Sequence, residues 1–158
     1  MQLEVCGESR MLDLGARLAR AVGGRGGLVF LHGQLGAGKT TLVRGLLHAL
    51  GHQGPVRSPT YTLLEPYEQL VPPVHHFDLY RLGDPEELEF IGIRDHLQGN
   101  ALCLMEWPEQ GSGVLPPPDL HLWIELDPSA PDCRRLRLEA VSARGEEILR
   151  SLHPNPQT

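Results

Sequence analysis

Short apolar runs alternate with amphipathic segments along this chain, a pattern typical of an α/β protein. Residues 28–31 form an apolar run that predicts a buried strand. From Leu42 to Leu50 the apolar residues recur at helical spacing, so they predict a helix, and Gly51 supplies its stop. We therefore expect a strand, a short loop and a helix in succession at the centre of the fold.

The same patterns predict the remaining elements. A helix that Ser9 could cap has an apolar face running from Met11 to Val22. Residues 84–88 open another helix, with a proline near its start and acids in its first turn. Two alternating segments near the C-terminus predict an antiparallel hairpin. The predicted strands are residues 2–6, 28–31, 58–67, 74–80, 101–105, 120–126 and 135–140, and short helical pieces are predicted at 92–96 and 146–152.

A glycine-rich loop lies between the central strand and helix. Residues 33–40 read G-Q-L-G-A-G-K-T and fit the P-loop pattern G-x-x-x-x-G-K-[ST]. Glycines let successive backbone N–H groups turn toward a phosphate, and the N-terminus of the following helix favours anions. In this motif Lys39 reaches the β- and γ-phosphates, and the Thr40 hydroxyl binds Mg²⁺. The sequence therefore predicts a nucleotide-phosphate site.

Two carboxylates at strand ends are candidates for the same site. Asp78 lies near the end of the strand at residues 74–80, and Glu106 closes the buried run 101–105 in the manner of a Walker B element. Because ligands collect at the carboxyl ends of parallel strands, both could lie beside the loop. The alternatives are a cap or an ion pair with Arg81 for Asp78, and a plain strand-end charge for Glu106. His75 and His76 point to opposite faces of a strand, so we interpret them as structural.

The segment from Ser58 to Tyr67 allows two interpretations. It could sense the γ-phosphate and Mg²⁺ through a threonine hydroxyl, as a GTPase switch does. It could equally be a threonine-rich edge strand bounded by prolines.

Composition narrows the class of protein. With 158 residues the chain has the length of one domain, which we place at residues 1–152, before a tail at 153–158 that we expect to be disordered. The net charge of −6 argues against a broad nucleic-acid footprint, so a role in RNA chemistry would be indirect. Cys6, Cys103 and Cys133 form no metal motif and suggest no disulfide framework. We expect a cytoplasmic protein without membrane contact, since no signal-peptide core or long apolar run is present.

Five motifs occur here in a set order: LGAGKTT, SPTYTL, HFDLYRL, DPEEL followed by GIRD, and LMEWPE. Together they resemble the bacterial TsaE family, formerly YjeE, which serves tRNA threonylcarbamoyladenosine biosynthesis. The resemblance runs from about residue 12 to residue 126, most of the chain.

The resemblance implies a fold and an activity. The fold would be a single P-loop NTPase domain of the α/β class, with a central mixed, mostly parallel sheet flanked by helices and the C-terminal antiparallel hairpin. Such a protein binds ATP or ADP with Mg²⁺ and hydrolyses ATP slowly. Its partners would be the TsaB and TsaD proteins, whose complex it resets between turnovers, and tRNA would be met only indirectly.

The resemblance also implies roles for individual residues. Lys39 would pair with the phosphates, Thr40 and Glu106 would hold Mg²⁺, and Asp78 would lie near the γ-phosphate. Thr60 and Thr62 would belong to a switch-like segment. Glu8, taken as the residue before the first helix, and Arg134 would approach the base. The phosphate-binding backbone would comprise Gly33, Gly36, Ala37, Gly38, Lys39, Thr40 and Thr41.

Of three other functions of P-loop proteins, two predict different sequence features. A small-molecule kinase would need an arginine-bearing lid, and the arginines here are scattered without an inserted lid. A GTPase would show an N-K-x-D motif, and the chain contains no Asn-Lys pair. A nucleotide-dependent binding switch uses the same residues as a slow ATPase, so that alternative stays open.

Overall fold

The computed structural model of this chain describes residues 1–152. The predicted disordered tail, residues 153–158, lies outside the described part. The strands are β1 Gln2–Cys6, β2 Gly27–His32, β3 Leu64–Tyr67, β4 Val74–Asp78, β5 Leu102–Glu106, β6 Leu120–Leu126 and β7 Cys133–Ala140. The helices are α1 Glu8–Val22, α2 Lys39–Ala49, α3 Glu87–Phe90, α4 Ile93–Gln98 and α5 Ala143–Leu152, and a 3-10 turn spans Pro108–Gly111.

All seven strands form one mixed sheet in the order β1-β7-β6-β2-β5-β4-β3. The four central strands, β6, β2, β5 and β4, are parallel to their neighbours. Strands β7 and β1 extend one side antiparallel, and β3 closes the other side antiparallel. The predicted mixed sheet and C-terminal hairpin are confirmed. The expectation of a mostly parallel sheet is wrong as worded, because three of the six strand pairings are antiparallel.

Apolar side chains on the two faces of the sheet build two cores. One core fills the space between the sheet and helices α1, α2 and α5. The other lies beneath α3, α4 and the segment that follows β5. Strand β5 is buried along its whole length, as the apolar run 101–105 predicted. Of the helices that the structure describes, none has both the length and the apolar character to span a bilayer.

Several predicted boundaries differ from the structure: β4 ends at Asp78 rather than at residue 80, and α3 begins at Glu87 rather than at residue 84. Two further differences lie close to the glycine loop and its surroundings. Helix α1 begins at Glu8 after Gly7, whose φ of 87° places it in the left-handed region that glycine favours, so Ser9 lies inside the helix and does not cap it. Only residues 64–67 of the predicted strand 58–67 pair with a neighbour. The preceding residues form a turn in which the Leu63 N–H donates to the carbonyl of Pro59, and that turn removes them from the ladder.

The cysteines contradict the expectation of no disulfide. Cys6 and Cys133 form a disulfide bond, whereas Cys103 is a buried free thiol. The two bonded cysteines are 127 residues apart in sequence but directly opposite one another in the β1–β7 ladder. Spacing along the chain could not reveal the pair, because strand register brings the two residues together.

Candidate functional site

The glycine loop joins β2 to α2 at the carboxyl end of the parallel strands. Gly36 and Gly38 have φ values of 80° and 116°, in the region that side chains other than glycine rarely adopt. Gly38 is the N-cap of α2, so the helix opens directly from the loop at Lys39. The first N–H groups of a helix have no intrahelical acceptor, and those of α2 follow directly after the loop. A loop and helix start of this kind suit an anion.

Gly33 leaves little room for a side chain at the base of the loop. A Cβ atom added there would lie 3.0 Å from the carbonyl oxygen of Ile124 and 3.1 Å from the Cβ of Ala37. The carbonyl oxygen of Gly33 also accepts a hydrogen bond from the Lys39 ammonium, with an Nζ–O distance of 2.6 Å. The loop thus anchors its own lysine.

The Lys39 side chain is 5% exposed and lies among acidic and aromatic groups. Its Nζ is 3.8 Å from Oε1 of Glu106 and 4.2 Å from the centre of the Trp107 ring. Burial lowers the pKa of Lys39, and the neighbouring carboxylates of Glu106 and Asp78 oppose that shift. The ammonium group is consequently fixed in the loop before any ligand is bound.

Glu106 and Asp78 end adjacent parallel strands and are directly opposite in the β4–β5 register. Both side chains are buried, at 3% and 4% exposure. A buried carboxylate needs hydrogen-bond partners, and each of these has its own. Oε2 of Glu106 lies 2.6 Å from Nε2 of His76, so this oxygen is engaged while Oε1 faces Lys39.

Asp78 binds the segment that precedes β3. Its Oδ2 accepts hydrogen bonds from the hydroxyls of Ser58 and Thr60, at 3.0 and 3.2 Å. Its Oδ1 accepts the backbone N–H of Tyr80 at 3.0 Å. This last bond ties Asp78 to the turn that follows β4, and α3 begins only at Glu87, so Asp78 does not cap a helix. The ion pair with Arg81 is not found among the described residues, where the Arg81 guanidinium lies over the Tyr61 ring instead.

One cavity of about 340 Å³ is lined by most of the residues that the sequence predicts to bind phosphate or Mg²⁺, and we call it the phosphate-side cavity. Thr62 does not line it, within the part of the chain that the structure describes, and its side chain is exposed. Thr60 does line it, so the switch-like segment reaches the cavity through one of the two predicted threonines. The predicted residues in its wall are Gly36, Gly38, Lys39, Thr40, Thr41, Thr60, Asp78 and Glu106.

A second cavity of about 220 Å³ shares Gly38 and Thr41 with the first. We call it the base-side cavity, after the role that the sequence predicts for Glu8 and Arg134. Glu8 and Arg134 both line it, as does Ala37. The Nε–H of Arg134 donates to the carbonyl of Ala37 at 2.9 Å, which ties β7 to the glycine loop. Glu8 is the first residue of α1 and pairs with Arg44, so the assumption that it precedes the helix is wrong. Gly7 holds that position and lines the same cavity.

Ser58 and His76 belong to the site although the sequence analysis assigned them no role in it. Ser58 begins the motif SPTYTL, and its place one residue before a proline and two before Thr60 was the available signal. His76 shares a strand face with Asp78 because the two are separated by one residue, and this periodicity could have linked them.

The two cavities together offer an extended site for a phosphorylated ligand. Backbone N–H groups and the Lys39 ammonium are suited to phosphate oxygens. The Thr40 hydroxyl and the Glu106 carboxylate line one cavity and supply oxygen atoms, which are the donors that Mg²⁺ takes in proteins. The donor set therefore fits a magnesium–nucleotide complex.

Comparison with known proteins gives a consistent family. The model of the family described as "Threonylcarbamoyl adenosine biosynthesis protein TsaE" matches residues 6–136. A protein of Haemophilus influenzae named tRNA threonylcarbamoyladenosine biosynthesis protein TsaE is 51% identical over 122 residues, which are 77% of this chain and 75% of that protein. A Bacillus subtilis protein of the same name is 35% identical over 137 residues, 87% of this chain and 84% of its own length.

A solved structure is similar along nearly the whole length. The crystal structure of Bacillus subtilis YdiB superposes with a TM-score of 0.77 at 28% identity, and the match covers 96% of this chain and 93% of YdiB. The span matched by the family model, residues 6–136, includes the glycine loop and both strand-end carboxylates. The chain belongs to the TsaE family of tRNA threonylcarbamoyladenosine biosynthesis proteins.

Proposed function

We propose that this chain is a P-loop ATPase that binds ATP or ADP with Mg²⁺, hydrolyses ATP slowly, and uses the hydrolysis to reset a TsaB–TsaD transferase complex during tRNA modification. One observation carries the proposal. The buried Lys39 ammonium lies at the N-terminus of α2 with the Glu106 carboxylate 3.8 Å away and Asp78 opposite Glu106 in the sheet. Family membership supports the pathway, and the resemblance of the motifs supports the partners.

Each residue would have a distinct part in the reaction. The loop N–H groups and Lys39 would bind the β- and γ-phosphates and orient the γ-phosphate toward the strand ends. Glu106 and Thr40 would hold Mg²⁺, which when bound supplies positive charge that neutralises phosphate oxygens. Asp78, with its carboxylate oriented by Ser58, Thr60 and the Tyr80 N–H, would orient the attacking water. Glu8 and Arg134 would border the base.

The experiment is ATP turnover by the purified chain, alone and with the purified TsaB–TsaD pair. We expect slow turnover alone and strong stimulation by the pair. Asp78→Ala should keep nucleotide affinity and lose turnover, whereas Asp13→Ala, on an exposed position of α1, should match the wild type. Normal turnover by Asp78→Ala would assign Asp78 a structural role only.

A second candidate is a binding switch in which hydrolysis is incidental. The hydrogen bonds from Ser58 and Thr60 to Asp78 favour it, because they connect the phosphate-side cavity to an exposed surface segment. Tyr61, between them and β3, is 84% exposed. The same assay separates the two candidates. No stimulation by the TsaB–TsaD pair, combined with tight nucleotide binding and nucleotide-dependent association, would favour the switch.

A further inference from the structure

His76 is a polar residue in a place where an apolar one would be expected. It lies in the middle of β4, its side chain is 0% exposed, and its cross-strand neighbours are Leu104 on β5 and Glu65 on β3. Within residues 1–152, the Nδ1 atom of His76 is the one buried side-chain polar atom without a hydrogen-bond partner. A buried polar atom without a partner costs free energy, so packing alone gives a poor account of this side chain.

The other ring nitrogen has a single short contact. Nε2 of His76 lies 2.6 Å from Oε2 of Glu106. Glu106 is on the adjacent strand β5, two residues after Leu104, which is directly opposite His76. Because the Glu106 carboxylate accepts, the imidazole Nε2–H donates. The two oxygens of Glu106 therefore have different partners. Oε2 accepts the hydrogen bond from the buried His76, whereas Oε1 faces Lys39, and both Glu106 and Lys39 line the phosphate-side cavity.

We propose that His76 is a positioning residue that fixes the Glu106 carboxylate so that Oε1 is presented to Mg²⁺. The inference rests on the proposed function, since it assumes that Glu106 meets a metal–nucleotide complex. Groups that hydrogen-bond a metal-binding carboxylate restrict its rotation, and their loss typically lowers metal affinity about 10–100-fold. The Glu106 side chain has rotatable bonds, and the 2.6 Å contact with His76 restricts rotation about them more strongly than the 3.8 Å contact with Lys39 does.

The adjacent histidine supplies a matched control. His75 lies on the opposite face of β4, where its Nε2 is 2.8 Å from Oε1 of Glu68 and its Nδ1 is 3.0 Å from Nδ1 of His96. It is also buried, at 7% exposure. A change at His75 therefore perturbs the same strand to a comparable degree without touching Glu106.

The test compares His76→Gln with His76→Asn. The Gln amide can place an N–H donor near the position of Nε2, whereas the shorter Asn amide cannot reach Glu106. ADP affinity is measured by calorimetry in EDTA and over a series of Mg²⁺ concentrations, with thermal unfolding as the check on folding. The ADP affinity of each variant in EDTA is the reference against which the effect of Mg²⁺ on that variant is measured. The Mg²⁺ concentration that gives half of the metal's effect should rise at least about tenfold in His76→Asn and stay within about threefold of the wild type in His76→Gln and His75→Asn.

The outcomes are distinguishable. Equal Mg²⁺ dependence in folded His76→Asn and wild type would overturn the positioning role and leave the proposed function standing. A parallel loss in His76→Asn, His76→Gln and His75→Asn would also overturn it, because the effect would then follow general disturbance of β4. If the wild type itself binds ADP with no Mg²⁺ dependence, the proposed metal site fails, and the inference about His76 fails with it.

Discussion

The ammonium group of Lys39 is enclosed by a carbonyl, a carboxylate and an aromatic ring. Gly33, Glu106 and Trp107 supply these three contacts, at 2.6 Å, 3.8 Å and 4.2 Å respectively. Trp107 adopts a left-handed backbone conformation with a φ of 55°, which is uncommon for a bulky residue and is stabilised here by its surroundings. A side chain held in this way loses little further freedom on binding a phosphate, so its charge is available at low entropic cost.

Lys39 is also the only lysine in the chain, which makes it a specific chemical probe. An amine-reactive acylating reagent has two targets, Lys39 and the terminal amine of Met1. Burial lowers the pKa of Lys39 and so raises the fraction of reactive free amine. We expect MgATP to protect Lys39 in proportion to occupancy, about tenfold at ten times Kd, as measured by peptide mass spectrometry. The Met1 amine is the internal control. Equal acylation of Lys39 with and without nucleotide would place the phosphates elsewhere.

His32 illustrates how a side chain next to the loop couples to pH. Its ring stacks on Trp123, with centroids 4.9 Å apart, and its Nε2 is 2.8 Å from Nδ1 of His121. Burial, followed by the charges of His121, Lys39 and Arg137, lowers the pKa of His32 to about 4. In the folded chain His32 therefore binds a proton only near pH 4, whereas in the unfolded chain it binds one near pH 6.5.

The sign of the pH effect follows from this difference. Between about pH 6.5 and pH 4 the unfolded state binds more protons at His32, so the free energy of unfolding should fall as the pH falls. The contribution is at most about 1.4 kcal/mol per pH unit. Urea unfolding at several pH values should show a shallower dependence for His32→Gln than for the wild type. Parallel curves for the two proteins would contradict the assignment.

At the scale of elements, α1 and α2 approach one another through facing glycines. A Cβ atom added to Gly15 would lie 2.2 Å from the carbonyl oxygen of Leu42, and one added to Gly45 would lie 2.2 Å from that of Leu12. Both distances are far below a real contact, so only glycine allows this separation of the two backbones. The close approach matters for the site because α2 carries Lys39 and Thr40 at its N-terminus, and α1 borders the base-side cavity.

We expect Gly45→Ala to destabilise the protein by about 2 kcal/mol or more, although alanine is the better helix former by about 1 kcal/mol. The clash is with backbone, which cannot move aside as a flexible side chain can. Gly99→Ala is the control, since its Cβ would lie 3.8 Å from the nearest atom, the carbonyl oxygen of Asp95. Chemical denaturation measures both changes. A Gly45→Ala variant as stable as Gly99→Ala would show that the helices can separate at little cost.

For the molecule as a whole, the features that the sequence predicts are those set by local pattern. The strand–loop–helix unit around Lys39 follows from apolar spacing and glycine placement, and the burial of β5 follows from the apolar run 101–105. The contacts of Ser58 and the pairing of Cys6 with Cys133 could not be predicted in this way. They depend on which strands become neighbours and in which register, and register arises from the packing of the complete sheet.

The Cys6–Cys133 bond joins strands near the two ends of the described chain. Strand β1 lies at the edge of the sheet, where it pairs with β7 and packs Val5 into the core. The residues next to the cysteines, Gly7 and Glu8 on one side and Asp132 and Arg134 on the other, line the base-side cavity. The covalent link thus closes a long loop and frames one wall of the candidate site.

Reduction should therefore lower the stability of the whole molecule. A loop closed across 127 residues constrains the unfolded chain by up to about 5 kcal/mol in the chain-entropy model. We expect a lower Tm with dithiothreitol than without it, and a Cys6→Ser/Cys133→Ser double variant that has the lower Tm under both conditions. Cys103→Ser should keep the response, because burial raises the pKa of the Cys103 thiol to about 12 and leaves it without thiolate for exchange. An unchanged Tm on reduction would mean that noncovalent contacts, including the β1–β7 ladder, hold the edge strand without the disulfide. The disulfide would then contribute no measurable stability to the part of the fold that lines the base-side cavity.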